Sequence, residues 1–190
     1  MGGDLASLAD MLKVVKGVDA VVALGGFPEE APWPTILHAN IIGAYNLYEA
    51  ARRNGVRRVV FASSNHATGF YSRNRKIDHQ VYPRPDSRYG LSKVFGEQAG
   101  FLYAEKYGLE VFCMRIGNVT PSPVDRRRLS NWLSPRDFAQ LVRIGIERRT
   151  STSRSSTACR ATTAVSMTMP TPPGWGSRPR TTARSTPRRS

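Results

Sequence analysis

Tyr89-Gly90-Leu91-Ser92-Lys93 separates a phenol from an ammonium by four residues, which on a helix is one turn along the same face. A free tyrosine titrates near pH ~10 and is a poor base at neutral pH, but a neighbouring cation favours its phenolate and brings it toward the working range. Such a pair can take a proton from a hydroxyl. With seven Tyr and five Lys in 190 residues the spacing arises by chance about 0.2 times, so a surface Tyr and Lys without chemistry is the alternative that context has to decide.

That context is a series of strand ends. Residues 19–24, 58–63 and 109–116 are short, continuous apolar runs bounded by turn residues, the pattern of strands covered on both faces. Helical spacing predicts helices over residues 6–15, 34–53, 87–107 and 135–147, with stops at Gly17, Gly55 and Gly108. Strand and helix alternate, which predicts an α/β fold with a doubly wound, Rossmann-like parallel sheet. Ligands of such sheets sit beyond the carboxyl ends of the strands. Here those ends carry Leu24-Gly25-Gly26, Ser63-Ser64-Asn65-His66 and Gly117-Asn118, so all three should border one crevice. Residues 64–86 read as a long polar loop, a length uncommon unless functional.

Charge divides the chain. The net charge is +14, but residues 1–147 hold 19 basic and all 14 acidic residues, whereas residues 148–190 hold nine Arg, no Lys and no acid. Ser, Thr, Arg, Pro and Ala make up 36 of those last 43 residues, a composition expected to stay disordered. The reading is therefore a partial nucleotide-binding domain over residues 1–147 and a tail over 148–190. A nucleic-acid binder working through the Arg-rich tail is one alternative; it would bind phosphates with steep salt dependence but has one tail aromatic, Trp175, for base stacking. Only Cys113 and Cys159 are present, one per region, so neither a disulfide framework nor a zinc site is expected, and a cytoplasmic setting is. No leader pattern or membrane-length apolar run is visible.

The strand-end Ser64, the Tyr89/Lys93 pair 25 residues on, and Asn40-Ile41-Ile42-Gly43 in the preceding helix together resemble the extended short-chain dehydrogenase/reductase family, which includes the NAD-dependent epimerases and dehydratases. The likeness covers residues 4–147. It implies that Ser64, Tyr89 and Lys93 form the catalytic set, and that Asp4, Leu5, Leu24, Gly25, Gly26 and Asn40 join Tyr89 and Lys93 in contacting NAD. Residues 33–51, 61–71 and 89–97, Arg115-Ile116-Gly117 with Thr120-Pro121, and residues 129–132 are similar to the uronate dehydrogenases within that family, with Asn65-His66 in place of the Val-Tyr-Gly usual after the strand-end serines of sugar-nucleotide epimerases. The implied substrate is a hexuronate oxidised at C1 to a lactone. Ser64, Asn65, His66, Asn118 and Arg127 would hold its hydroxyls and carboxylate. On its own, a loop histidine such as His66 more often bonds locally, and the Arg126-Arg127-Arg128 run is more often a solvated charge cluster.

The chain departs from that pattern in three places. No strand, glycine-rich turn and helix for the cofactor pyrophosphate precedes Met1, so the chain is expected to be N-terminally truncated and, alone, nearly inactive with weak NAD binding. Ala23 and Pro28 replace the family's His and a substrate-binding Ser. The tail resembles a GC-rich reading frame translated out of register; a one-base shift turns Met167-Thr168 into an Asp codon and Met169-Pro170 into an Ala codon, and an in-frame continuation is expected. A sugar-nucleotide epimerase or dehydratase of the same family is the second alternative. The expected partners are a sugar acid and NAD, with no nucleic acid, membrane or metal, in a monomer or a homo-oligomer.

Overall fold

The computed structural model describes residues 2–72, 74–123, 125, 129–147 and 160–163. Four parallel strands lie in the order β1 (Ala20–Ala23), β2 (Arg58–Ser64), β3 (Glu110–Ile116) and β6 (Arg160–Thr163), with Val21 opposite Val59, Phe61 opposite Cys113 and Cys113 opposite Ala161. The three strands expected from the apolar runs are parallel neighbours, as the alternation of elements requires. The expected structureless tail lies outside the described residues except for Arg160–Thr163, whose backbone extends the sheet at the edge of β3.

Local chemistry explains the helices. In α1 (Leu8–Val14) the Ser7 hydroxyl accepts from Asp10 N at 3.2 Å, capping the first turn, and Gly17 turns the chain at φ 73°. Residues 33–53 form one helical run, as predicted, but it is not uniform: α2 (Trp33–Ile36) passes through a π-helical segment, Leu37–Ile42, into α3 (Gly43–Arg53). Wider turns of this kind gather at functional positions, and this one contains Asn40. In α4 (Arg88–Tyr107) the Ser87 hydroxyl accepts from Gly90 N at 2.9 Å, and Gly108 ends the helix at φ 72°. The last helix among the described residues, α5 (Pro135–Glu147), occupies the predicted residues.

Alternation along the strands sorts the layers. Val59, Phe61, Val111 and Cys113 point to one face and join Leu47, Tyr48, Ala51, Tyr103 and Ala104 of α3 and α4 in the main core. Val60 and Phe112 point to the other face, where Gly145 of α5 approaches both. Every residue of β2 is buried, so this strand is the centre of the three layers. Beyond β3, the short strands β4 (Asn118–Val119) and β5 (Trp132–Leu133) pair, and Trp132 Nε1 donates to Thr120 O at 2.8 Å.

Candidate active site

Ser64, Tyr89 and Lys93 meet at the carboxyl end of β2. Ser64 is the last residue of that strand, and its hydroxyl oxygen accepts from His66 N at 3.2 Å, starting the 3-10 turn Asn65–Thr68. Its hydroxyl also lies near enough to the Tyr89 phenol to lower that group's pKa. Lys93, one turn after Tyr89 on α4, is buried; its Nζ donates to Ala62 O at 2.9 Å and lies 5.4 Å from the centres of both the Tyr89 and Phe61 rings.

The electrostatics differ from the sequence expectation. Burial raises the Tyr89 phenol above its ordinary value of 10.0, and the Ser64 hydroxyl lowers it by less. Burial also lowers the Lys93 ammonium to about 8. The ammonium therefore does not pull the phenol down here, because it faces the Ala62 carbonyl and is itself short of solvent.

Asn40 is buried in the π-helical segment. Its Oδ1 accepts from Phe27 N at 2.7 Å, and its Nδ2 donates to Phe27 O at 3.1 Å and to Ser92 Oγ at 3.0 Å. Ser92 in turn donates to Tyr89 O at 2.7 Å. One amide thus joins the loop after β1 to α4. Gly26 makes this approach possible: its φ is 125°, and a Cβ there would lie 2.7 Å from Asn40 Oδ1.

A cavity of about 390 Å³ opens beside this junction, bordered by Leu5, Leu24, Gly25, Asn40, Ser92 and Lys93. Leu5 packs against Gly25 and Gly43, and its carbonyl accepts from Asn46 Nδ2 at 3.1 Å. Asp4 does not line the cavity; its Oδ1 accepts from Ala6 N at 2.9 Å in a local turn. Asn65 Oδ1 accepts from Ser64 Oγ at 3.3 Å. His66 is half exposed, with Nδ1 2.8 Å from Asp86 Oδ1. Asn118 is exposed on β4, away from the cavity lining. Arg127 lies outside the described residues.

Sequence reasoning missed four contributors. Asp86 holds His66, and Glu30 accepts from Tyr89 N at 3.0 Å while pairing with Arg88 at 2.9 Å. Ser92 and Glu97 continue the polar stripe of α4 inward. The spacing signal for Glu97 was available: it stands four residues after Lys93, as Lys93 stands after Tyr89. Among the described residues, no three or more His, Cys, Asp or Glu group as metal ligands, and no helix is long and apolar enough to cross a membrane.

Comparison with known proteins fits this arrangement. The chain is 49% identical over 139 residues to the uronate dehydrogenase of Pseudomonas syringae pv. tomato, a match covering 73% of this chain and 50% of that one. The glucuronic acid dehydrogenase structure from Chromohalobacter salexigens is 44% identical with a TM-score of 0.80, over 87% of this chain and 60% of that one. A mutant uronate dehydrogenase from Agrobacterium tumefaciens, solved in complex with NAD, is 40% identical with a TM-score of 0.80, over 87% and 60%. The chain spans about half the length of the curated relatives it matches. The pattern of the NAD dependent epimerase/dehydratase family runs through residues 1–142, three quarters of the sequence, and the chain belongs to this family.

Proposed function

We propose that this chain carries the catalytic residues of an NAD-dependent dehydrogenase that oxidises C1 of a hexuronate to an aldarolactone. The observation that carries the reading is the meeting of Ser64, Tyr89 and Lys93 at one strand end beside the cavity. The cavity walls suit the nicotinamide end of the cofactor: Leu5, Leu24 and Gly25 offer apolar surface and close backbone, and Lys93 supplies a buried donor in the wall. When bound, NAD supplies the hydride acceptor.

The chain's own residues handle the proton. Tyr89, as phenolate, accepts the proton of the sugar's C1 hydroxyl as that carbon gives up its hydride and its C–O bond becomes a carbonyl. Ser64 donates a hydrogen bond to the same oxygen and holds it toward Tyr89. Lys93, one turn along α4 from Tyr89, is placed to hold a cofactor ribose hydroxyl. Asn65, His66 and Arg127 bind the remainder of the sugar acid, a ligand well served by neutral hydrogen-bonding groups and a cation.

The test is an assay of the purified chain with NAD and D-glucuronate or D-galacturonate, with UDP-glucose as the comparison. Hexuronate-dependent NADH formation, however slow, that vanishes in Tyr89→Phe is expected. Conversion of the UDP-sugar without net NADH, and no response to hexuronates, would replace this reading with an epimerase.

A further inference from the structure

His66 and Asp86 form a pair beside the catalytic residues. The His66 Nδ1 lies 2.8 and 3.1 Å from the two carboxylate oxygens of Asp86, and its ring stands edge-on to Tyr89 with centres 5.8 Å apart. The backbone holds the pair on both sides. Asp86 N donates to His66 O at 3.3 Å, Arg84 N donates to Ala67 O at 2.9 Å, and Phe70 N donates to Arg84 O at 3.0 Å. The approach also needs glycine at two neighbours: a Cβ at Gly69 would lie 2.0 Å from Asp86 Oδ2, and one at Gly90 would lie 2.3 Å from the His66 carbonyl oxygen. Ser87 donates its hydroxyl to Asp86 Oδ1 at 3.2 Å, so the carboxylate is oriented as well as placed.

An ionised carboxylate accepts hydrogen bonds and cannot donate one, so the nitrogen facing it must carry the proton. In the neutral ring the other nitrogen then presents a lone pair. We propose that Asp86 is a positioning residue that fixes His66 as the Nδ1–H tautomer, so that Nε2 accepts a hydrogen bond from a hydroxyl of the bound sugar rather than holding its carboxylate. The tautomer follows from the geometry alone; the sugar hydroxyl rests on the dehydrogenase reading. The selectivity is definite: a lone pair beside the reacting tyrosine welcomes a hydroxyl and repels a carboxylate oxygen. The sugar acid's charge must therefore be met elsewhere in the site.

Long-range proton–nitrogen NMR of the 15N-labelled chain tests this at pH about 8.5, above the ordinary histidine range near 6.5. Loss of one signal set in His66→Gln assigns His66 among the three histidines. The expected spectrum shows a protonated Nδ1 and a lone-pair Nε2. Asp86→Asn keeps the side chain's shape, but its amide can donate to Nδ1, so the His66 signals should move toward Nε2–H while the backbone spectrum elsewhere stays native. An Nε2–H tautomer in the unsubstituted chain, or unchanged His66 signals in Asp86→Asn, overturns the proposal. D-glucuronate should shift the Nε2 signal and acetate at the same concentration should not. An equal response to acetate overturns the hydroxyl contact. A fixed tautomer with no response to glucuronate, in a chain that still forms NADH from it, overturns the hydroxyl contact alone; no response and no NADH together overturn the dehydrogenase reading, and both outcomes leave the role of Asp86 standing.

Discussion

Glu97 receives Arg115 through both of its carboxylate oxygens, at 2.9 and 2.7 Å, and the same carboxylate accepts the Ser63 hydroxyl. All three residues are 3–4% exposed. Ser63 precedes Ser64 on β2, Arg115 lies near the end of β3, and Glu97 follows Lys93 by one turn on α4, so this buried cluster sets the register between the catalytic helix and the two strands. Removing one partner leaves a buried charge uncompensated. Glu97→Ala should cost about 3–5 kcal/mol in denaturant unfolding. Adding Arg115→Met should recover a large part of that loss, and additive losses in the double variant would show that the pair is not coupled.

The protonation order of Tyr89 and Lys93 shapes the pH dependence. In the proposed mechanism the reactive form needs the phenolate and the ammonium together, yet burial brings the Lys93 ammonium down to about 8 and raises the Tyr89 phenol above its ordinary 10.0. The reactive form is then a minority at every pH. Its population rises tenfold per pH unit up to about 8 and then levels, because each gain in phenolate is matched by a loss of ammonium. The expected kcat/KM profile climbs, breaks near pH 8 and stays flat. In Lys93→Met the climb should continue through pH 8 at a lower rate, so a break that persists in this variant would separate it from Lys93.

Acid should weaken the fold through Glu49. Its carboxylate accepts from Arg52 at 3.0 and 2.8 Å, from Arg53 and from the Tyr103 hydroxyl, and the Arg52 hydrogen bonds, outweighing burial, hold it at about 2. A folded value below the unfolded 4.5 gives stability that is complete above pH ~4.5 and is lost as pH falls toward 2. Melting curves between pH 6 and 2.5 should show this fall, and Glu49→Gln should flatten it. An unchanged slope in that variant would assign the acid sensitivity to other groups.

Helix α4 approaches the sheet closely at Gly96. A Cβ there would lie 2.2 Å from Phe61 Cζ, so Gly96→Ala should cost about 1–3 kcal/mol through overpacking, despite alanine's better helix propensity. Phe61→Leu should relieve much of that cost in a double-variant cycle. If Gly96→Ala instead raises the melting temperature, α4 has more room than the contact indicates.

The fold was legible because its signals are local. Continuous apolar runs marked the three strands, and Ser87 and Gly108 bracketed α4. Asn40 was found, but its engagement with Phe27 and Ser92 was not, since those contacts span 13 and 52 residues and depend on a π-helical turn that heptad-like spacing does not show. The Asp86 contact to His66 spans 20 residues, and Asp86 read simply as the last residue of the long polar loop. Proton affinities were the least legible. The Tyr89/Lys93 spacing implied mutual stabilisation, while burial disfavours the charged form of each, and burial is decided only by the packed chain.

The contact between Gly26 and Asn40 has a consequence for how this sequence can vary. Any side chain at 26 must displace the Asn40 amide, which holds Ser92, whose hydroxyl reaches the backbone of Tyr89. Positions 26, 40 and 92 are therefore epistatic: a substitution tolerated at one depends on the identities at the other two. A library that randomises the loop after β1 while keeping Gly26 leaves the chain of contacts to Tyr89 in place, whereas one that varies position 26 alone reaches the reacting phenol from a residue that never touches it.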